Sequence, residues 1–165
     1  MPRVKLLHEE LTHSIIGAFF EVYYELGFGF LEHVYVSSLT RELHRRGHQV
    51  GREVSVPIYF KCEEVARQRL DMVVDAKVVI ETKSNERLQP EAVRQLTGYL
   101  KATTLEVGLL LHFGPRPRFI RVVATNSAQG SPPSSSPPNP PLPRLLPREP
   151  LDIDVNDAEK GEQEI

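Results

Sequence analysis

Two charged residues in a short apolar segment have the types and the spacing of a hydrolytic site. Glu81 and Lys83 lie in Val-Val-Ile-Glu-Thr-Lys, residues 78–83. In an extended strand, residues two apart point to the same face, so this segment places a carboxylate beside an amine. Asp71 interrupts the preceding apolar segment, Leu-Asp-Met-Val-Val, in a similar way. A hairpin that joins the two segments brings Asp71 close to Glu81.

The combination of Asp71 with Glu81 predicts a magnesium site. Ionised groups flanked by core positions are costly unless they are paired or bound to a cation. Mg²⁺ is typically held by one or two carboxylates, with water and substrate phosphate oxygens completing its shell. Lys83 would then orient or deprotonate the attacking water, or offset charge in the transition state. The structural alternative is a surface ion pair between Glu81 and Lys83, worth about 0–1 kcal/mol.

Two polar residues on predicted helices point toward the same site. Glu32 lies one turn before Tyr35 and therefore borders the buried face of its helix. Gln95 stands in the same relation to Tyr99. Each residue alone reads as an ordinary helix-edge side chain, and only their joint placement favours a shared site.

Several cations are candidates to meet a phosphate group, with ordinary surface solvation as the alternative for each: Arg69, Arg87, Arg94 and Lys101. Four histidines are not expected to bind a metal: His33, His44, His48 and His112.

The elements that position these residues follow from hydrophobic periodicity. A period of 3.6 residues, with breaks at Gly27 and Gly47 and a start at Pro90, predicts helices over about 11–26, 31–46 and 90–103. Alternating or continuous apolar runs predict strands over about 50–60, 67–74, 77–83, 106–113 and 119–124.

The strand pattern also predicts how the sheet is built. The first three strands form a meander, and Pro57 assigns the first of them to an edge, because proline cannot donate to the ladder. The apolar run of 106–113 indicates a buried parallel strand reached through a helix. Strict alternation would put Val50 on one face with Val54, and would put Leu70 on one face with Met72, opposite Asp71.

The composition separates a body from a tail. The chain has 165 residues, of which 40% are hydrophobic and 25% charged, a content that suits one globular domain and excludes fibrous or wholly disordered classes. Nine of its 14 prolines lie between Pro132 and Pro150. We therefore expect a domain over 1–126 and a disordered tail over 127–165. The tail is either a solvated linker or a ligand for a proline-recognition domain.

Charge, cysteine content and hydropathy restrict the expected partners and the expected cellular compartment. Residues 1–126 carry 17 Lys+Arg against 15 Asp+Glu, which permits a polyanionic partner without demanding one. A single cysteine, Cys62, excludes an internal disulfide and agrees with a reducing compartment. Neither a spanning apolar run nor a signal peptide is recognisable, so we expect a cytoplasmic protein with no membrane partner.

The residues and the element order together resemble a known fold family. An αβββαβ core, a mixed central sheet flanked by helices with an extra N-terminal helix, is similar to the restriction-endonuclease-like α/β fold of the PD-(D/E)XK nuclease superfamily. Within that superfamily, residues 29–35 (Gly-Phe-Leu-Glu-His-Val-Tyr) resemble the motif of the GxxExxY protein family. The resemblance covers roughly residues 8–124, and Leu70 stands where the superfamily name has proline.

The resemblance implies a role for each candidate residue. Asp71 and Glu81 would be the metal ligands, Lys83 the catalytic lysine, and Glu32 the helix acid that helps to position metal or water. Gln95 and Tyr99 would shape the site or touch substrate. Among the cations named above, Arg69 and Arg94 are predicted as substrate contacts from their charge alone.

The implied function is phosphodiester hydrolysis of DNA or RNA with Mg²⁺, for which Mn²⁺ would substitute. A homodimer would suit cutting of both strands. The alternatives are a noncatalytic nucleic-acid or protein interaction module on the same fold, and a different phosphotransfer enzyme.

Overall fold

The computed structural model describes residues 6–124, which fold into three helices and five strands. They are α1 (Glu9–Leu26), α2 (Glu32–Arg45), β1 (Val50–Phe60), β2 (Glu63–Val74), β3 (Val78–Lys83), α3 (Pro90–Lys101), β4 (Val107–His112) and β5 (Arg118–Val123). Every predicted element is present, although β2 begins four residues before the predicted start. The predictions for the tail over 127–165 lie outside the described residues.

The five strands form one mixed sheet in the order β1-β2-β3-β4-β5. Neighbouring strands are antiparallel except β3 and β4, which are parallel and are connected through α3. Pro57 lies on the edge strand β1, as predicted. This is the α/β, restriction-endonuclease-like architecture that the element order indicated.

Helices cover both faces of the sheet and create two apolar layers. On one face α1 and α2 pack through Phe19, Tyr35 and Leu39 on the inward residues of β3 and β4. On the other face α3 packs through Leu96 and Leu100. Glu81 and Lys83 alternate with the residues of the first layer, so they belong to the α3 face.

The alternation of both β1 and β2 breaks at the same rung, which corrects a prediction. Val50 packs with the α1/α2 layer but Val54 packs with the α3 layer. Leu70 likewise packs in the α3 layer, whereas Met72 packs in the other. Glu53, between the two β1 residues, has a left-handed φ of 51°. A strict period of two fails because this local backbone twist turns the outer part of the β1–β2 ribbon over.

A chain of side-chain hydrogen bonds connects α1 with the turn between β2 and β3. The Ser14 hydroxyl lies 2.8 Å from Nε2 of His48, and Nδ1 of His48 lies 2.7 Å from Oδ2 of Asp75. Oδ1 of Asp75 accepts a hydrogen bond from the backbone N–H of Gln49. These contacts fasten α1 and the segment before β1 to the end of the sheet opposite Lys83.

None of the helices formed by residues 6–124 is both long enough and apolar enough to cross a membrane.

Candidate active site

The pair predicted to do chemistry lies at the carboxyl end of β3. Nζ of Lys83 is 2.6 Å from Oε1 of Glu81. The Glu81 residue is 3% exposed and the Lys83 side chain 24%, so this ion pair is partly withdrawn from water rather than on the open surface. Oε2 of Glu81 is buried and has no hydrogen-bond partner among the described residues. An orphaned carboxylate oxygen is costly in this setting, which makes it available to a cation.

Asp71 is held beside this pair by Thr82. Oδ2 of Asp71 accepts hydrogen bonds from the backbone N–H and from the hydroxyl of Thr82, each at 2.8 Å. The ladder between β2 and β3 ends at the pairing of Met72 with Ile80, so the aspartate carboxylate replaces a backbone acceptor where the strands diverge. With Oδ2 fixed in this way, Oδ1 remains for another ligand.

The pKa of Glu81 reflects both its burial and the nearby charge of Asp71. Burial, and next the negative charge of Asp71, raise the pKa of Glu81 to about 7, although the hydrogen bond from Lys83 opposes the rise. Close carboxylates raise a pKa in this way because both cannot easily ionise. A divalent cation would remove the conflict, since it favours the ionised form of both groups.

Glu32 reaches the same site from the first residue of α2. Burial raises its pKa, the charge of Lys83 opposes the rise, and the charge of Asp71 adds to it. The backbone of Ser84, directly after β3, lies close enough to lower the pKa of Glu32 in part. Glu32 is therefore joined to the end of β3, as the helix-edge position suggested.

The remaining helix residues lie at the α3 side of the site. Nε2 of Gln95 donates to the hydroxyl of Tyr99 at 2.6 Å. Burial and the charge of Glu81 raise the pKa of Tyr99, so the phenol senses the carboxylate. Burial opposes the charge on Lys83, but Glu81, Glu32 and Asp71 outweigh it and raise the pKa of the ammonium. Tyr99 therefore lies near the carboxylates, and Gln95 is connected to the site through its hydrogen bond to Tyr99.

The two predicted arginine contacts are engaged elsewhere. Arg69 pairs with Glu53 across the β1–β2 ribbon at 3.8 Å, and Arg94 pairs with Glu91 one turn earlier on α3. Both side chains are 71% exposed. A role for either arginine in binding substrate stays a prediction.

The residues present suit a hard divalent cation. In the described part of the chain, no three His, Cys, Asp or Glu side chains form a ready-made metal cluster. Mg²⁺ does not require one, because it is commonly bound through one or two carboxylates with water in the other positions. The carboxylate oxygens of Asp71 and Glu81 fit that requirement, since one Glu81 oxygen has no hydrogen-bond partner in the described part of the chain.

Two contributions to the site were not anticipated from the sequence. Thr82 orients Asp71, and the Ser84 backbone contacts Glu32. The available signal was Thr82 itself, because a hydroxyl on a strand flanked by core residues needs a hydrogen-bond partner. The contact of Ser84 had no sequence signal, because every residue other than proline carries a backbone N–H.

Comparison with protein families identifies the class of this domain. The sequence profile described as the PD-(D/E)XK nuclease superfamily matches residues 9–122, which include all five strands apart from the last residue of β5. The chain belongs to that superfamily. No curated protein and no solved structure gives a significant match.

Proposed function

We propose that this domain is a Mg²⁺-dependent nuclease that hydrolyses phosphodiester bonds in DNA or RNA. The observation that carries the proposal is the partly buried Glu81–Lys83 pair beside Asp71, with one Glu81 oxygen that has no partner within residues 6–124. Superfamily membership supports a nucleic-acid substrate. The motif residues Gly29, Glu32 and Tyr35 favour membership of the narrower GxxExxY family.

Asp71 and Glu81 are the proposed ligands of the cation. When bound, the cation lowers the pKa of water and neutralises charge on the phosphate. Thr82 keeps Asp71 in the liganding orientation, because it donates both a backbone and a hydroxyl hydrogen bond to one carboxylate oxygen. Outer hydrogen bonds of this kind fix the geometry of liganding carboxylates.

Lys83 supplies a positive charge next to the scissile phosphate. Its ammonium already donates to a carboxylate oxygen in the site, so a negatively charged phosphoryl oxygen is a suitable alternative acceptor. In hydrolysis, a water oxygen bonds to phosphorus, one ester P–O bond breaks and the leaving oxygen takes a proton. Glu32, half-buried with a raised pKa, lies where it can hold or accept a proton from water.

The test is metal-dependent cleavage by the full chain. Supercoiled plasmid, single-stranded DNA, RNA and a small phosphodiester are incubated with Mg²⁺ or Mn²⁺, with EDTA as a blank. We expect cleavage of a nucleic acid that EDTA abolishes and that Lys83→Ala lowers by at least about 100-fold. Lys77→Ala is the matched control, because this exposed lysine lies in the turn before β3.

Three results would contradict the proposal. Equal rates in Lys83→Ala and wild type would point to a contaminating nuclease. Absence of cleavage on every substrate, with metal still bound, would favour the noncatalytic interaction module. Hydrolysis of the small phosphodiester alone would instead indicate a different phosphotransfer enzyme.

A further inference from the structure

A row of basic side chains leads away from Lys83 across the end of the sheet. Lys83 is in register with His112 on β4, and His112 is in register with Arg118 on β5. Residues directly opposite one another in a sheet share a face, so all three lie on the α3 face. With strands about 4.8 Å apart, the Arg118 backbone is about 10 Å from that of Lys83. His112 is buried and lies 2.7 Å through Nε2 from the Asn85 carbonyl, so Arg118 is the next exposed cation in the row.

Arg118 and its neighbour Arg116 carry positive charges that no carboxylate of residues 6–124 neutralises by an ion pair. Both are exposed. The sequence from 107 to 124 contains no aspartate or glutamate, so nothing on β4, β5 or their connection neutralises these arginines locally. By contrast, Arg69 and Arg94 are already paired with carboxylates. The charges of Arg116 and Arg118 therefore suit a phosphate backbone better than the paired charges of Arg69 and Arg94 do.

The loop before Glu32 presents apolar rings to solvent at the same end of the sheet. Phe28 and Phe30 are 41% and 48% exposed, and Leu31 is 71% exposed. The loop is nevertheless anchored, since the Tyr35 hydroxyl donates to the Gly27 carbonyl at 2.7 Å and accepts from the Phe30 N–H at 3.2 Å. A fixed loop that exposes two phenyl rings is typical of a surface that a partner covers.

Contacts between elements bring this loop next to the connection between β4 and β5, which carries Arg116. The Tyr23 hydroxyl donates to the Pro115 carbonyl at 3.0 Å, one residue before Arg116, while the backbone of Tyr23 accepts from Gly27. Tyr35, which anchors the aromatic loop, stacks on Phe113 with ring centroids 4.4 Å apart. Rings and cations thus surround the carboxyl ends of β3 and β4, where Glu32 and Lys83 also lie.

We propose that this end of the sheet binds single-stranded nucleic acid, with Arg116 and Arg118 on phosphates and Phe28 and Phe30 stacked against bases. The inference rests on the proposed nuclease function and assigns its substrate class. A cationic track combined with exposed aromatic rings is the general means of holding unpaired bases, because every base offers a ring face. Bases stacked within a duplex do not offer those faces to side chains.

The test compares binding of a fluorescein-labelled 20-nucleotide oligothymidylate with binding of a duplex of equal length. Fluorescence anisotropy with the full chain is measured in Ca²⁺, and a denaturing gel checks that the oligonucleotide stays intact. The variants are Phe28→Ala/Phe30→Ala and Arg116→Ala/Arg118→Ala. Phe60→Ala, a more exposed ring on the β1–β2 hairpin, is the control for the first variant. Arg41→Ala/Arg52→Ala removes two exposed cations elsewhere and controls for net charge.

We expect the wild type to bind the single strand more tightly than the duplex. Phe28→Ala/Phe30→Ala should weaken single-strand binding by about fivefold or more, because stacking on one base is worth at least that much. Arg116→Ala/Arg118→Ala should lower the slope of log affinity against log salt by about 1.4, at about 0.7 per phosphate contact. Should the double phenylalanine variant not fold, Phe28→Ala alone is measured instead.

Three outcomes would overturn the inference: tighter binding of the duplex, equal losses in the control variants, or an unchanged salt slope. Cleavage assays on the same variants separate this inference from the proposed function. Single-strand binding that depends on these residues, without cleavage, would retain the inference and reject the nuclease. Cleavage that depends on Lys83 but is unchanged in the phenylalanine and arginine variants would retain the nuclease and reject the inference.

Discussion

Asp71 is oriented by Thr82, the residue that separates Glu81 from Lys83. Both the backbone N–H and the hydroxyl of Thr82 donate to Oδ2 of Asp71 at 2.8 Å. One residue of β3 therefore controls a carboxylate on β2, while its neighbours on either side carry the ion pair. The Glu-x-Lys spacing and the aspartate form one unit because of this bridge.

Replacing the Thr82 hydroxyl should weaken metal binding without unfolding the domain. Thr82→Val keeps the shape of a fully buried side chain but removes one of the two hydrogen bonds that orient Asp71. Loss of an outer hydrogen bond to a metal ligand typically costs 10- to 100-fold in affinity, so we expect about a 10-fold rise in the Kd for Mn²⁺. Isothermal titration calorimetry with Mn²⁺ measures the Kd of both proteins. Thr97→Val, which removes a hydroxyl that donates to a helix carbonyl, should leave the Kd unchanged. An equal rise in Kd in both variants would contradict the role of Thr82 in orienting Asp71.

Metal affinity should depend on pH through Glu81. A cation binds the ionised carboxylate, so it must displace a proton from a group whose pKa is raised to about 7. The apparent affinity for Mg²⁺ should therefore rise about tenfold per pH unit below pH 7 and level off above it. The metal-induced shift in Tm, measured from pH 5.5 to 8.5, follows this curve. A flat profile would mean that Glu81 is not a ligand or is already ionised.

The metal-free protein should show the opposite dependence of stability on pH. The pKa of Glu81 is higher in the folded chain than its ordinary value of 4.5, so its contribution to stability is present below pH 4.5 and is lost as pH rises through about 7. Glu81→Gln should accordingly raise the free energy of unfolding in EDTA at pH 8, by at most about 3 kcal/mol, and have little effect at pH 4.5. Urea unfolding of both proteins at the two pH values provides the measurement. A destabilised variant at pH 8 would refute the burial of an ionised Glu81.

The Ser14–His48–Asp75 chain should contribute to stability rather than to cleavage. His48→Ala removes two side-chain hydrogen bonds and leaves a partly buried Asp75 oxygen without its partner, a loss of about 2–3 kcal/mol. Urea unfolding should show this loss, whereas the exposed His44→Ala should change stability by less than about 0.5 kcal/mol. Since these residues lie at the opposite end of the sheet from Lys83, the nuclease rate per folded molecule should be unchanged. A large loss of rate at full folding would contradict this assignment.

Packing of α3 on the sheet should depend on the absence of a side chain at Gly108. A Cβ built at this position would lie 2.8 Å from Cδ1 of Leu96, closer than ordinary contact. Gly108→Ala should therefore displace α3 and destabilise the domain by about 1–3 kcal/mol, in the usual range for overpacking. Thermal or urea unfolding measures the change. Gly98→Ala is the control, since a Cβ at that helix position meets nothing within 4 Å. Alanine is also a better helix former than glycine, so this variant should not be destabilised.

Much of the fold was predictable because its signals are local. Helical periodicity, the Gly27 break and Pro90 predicted the helices, and Pro57 predicted the edge strand β1. The parallel strand β4 was recognisable as a continuous apolar run, since it is buried on both faces. The candidate site was equally predictable from the sequence, because Glu81 and Lys83 share a face in any regular strand.

What sequence periodicity missed were departures from regular geometry. Alternation assigned Leu70 to the face of Met72, but a paired break at Glu53 and Asp71 moves it to the other layer. Such a break depends on backbone twist in two strands that lie far apart along the chain. The pairing of Arg69 with Glu53 depends on the same register and was not anticipated.

The kinds of elements, their order and the residues able to do chemistry follow from the amino-acid sequence, because side-chain type and spacing act within a single strand or helix. Three-dimensional packing alone establishes that Thr82 holds Asp71 and that the Phe28 loop adjoins Arg116. It also leaves one oxygen of Glu81 without a partner among residues 6–124. These relationships join residues from different elements. They arise from packing and strand divergence, which no local pattern of side chains encodes.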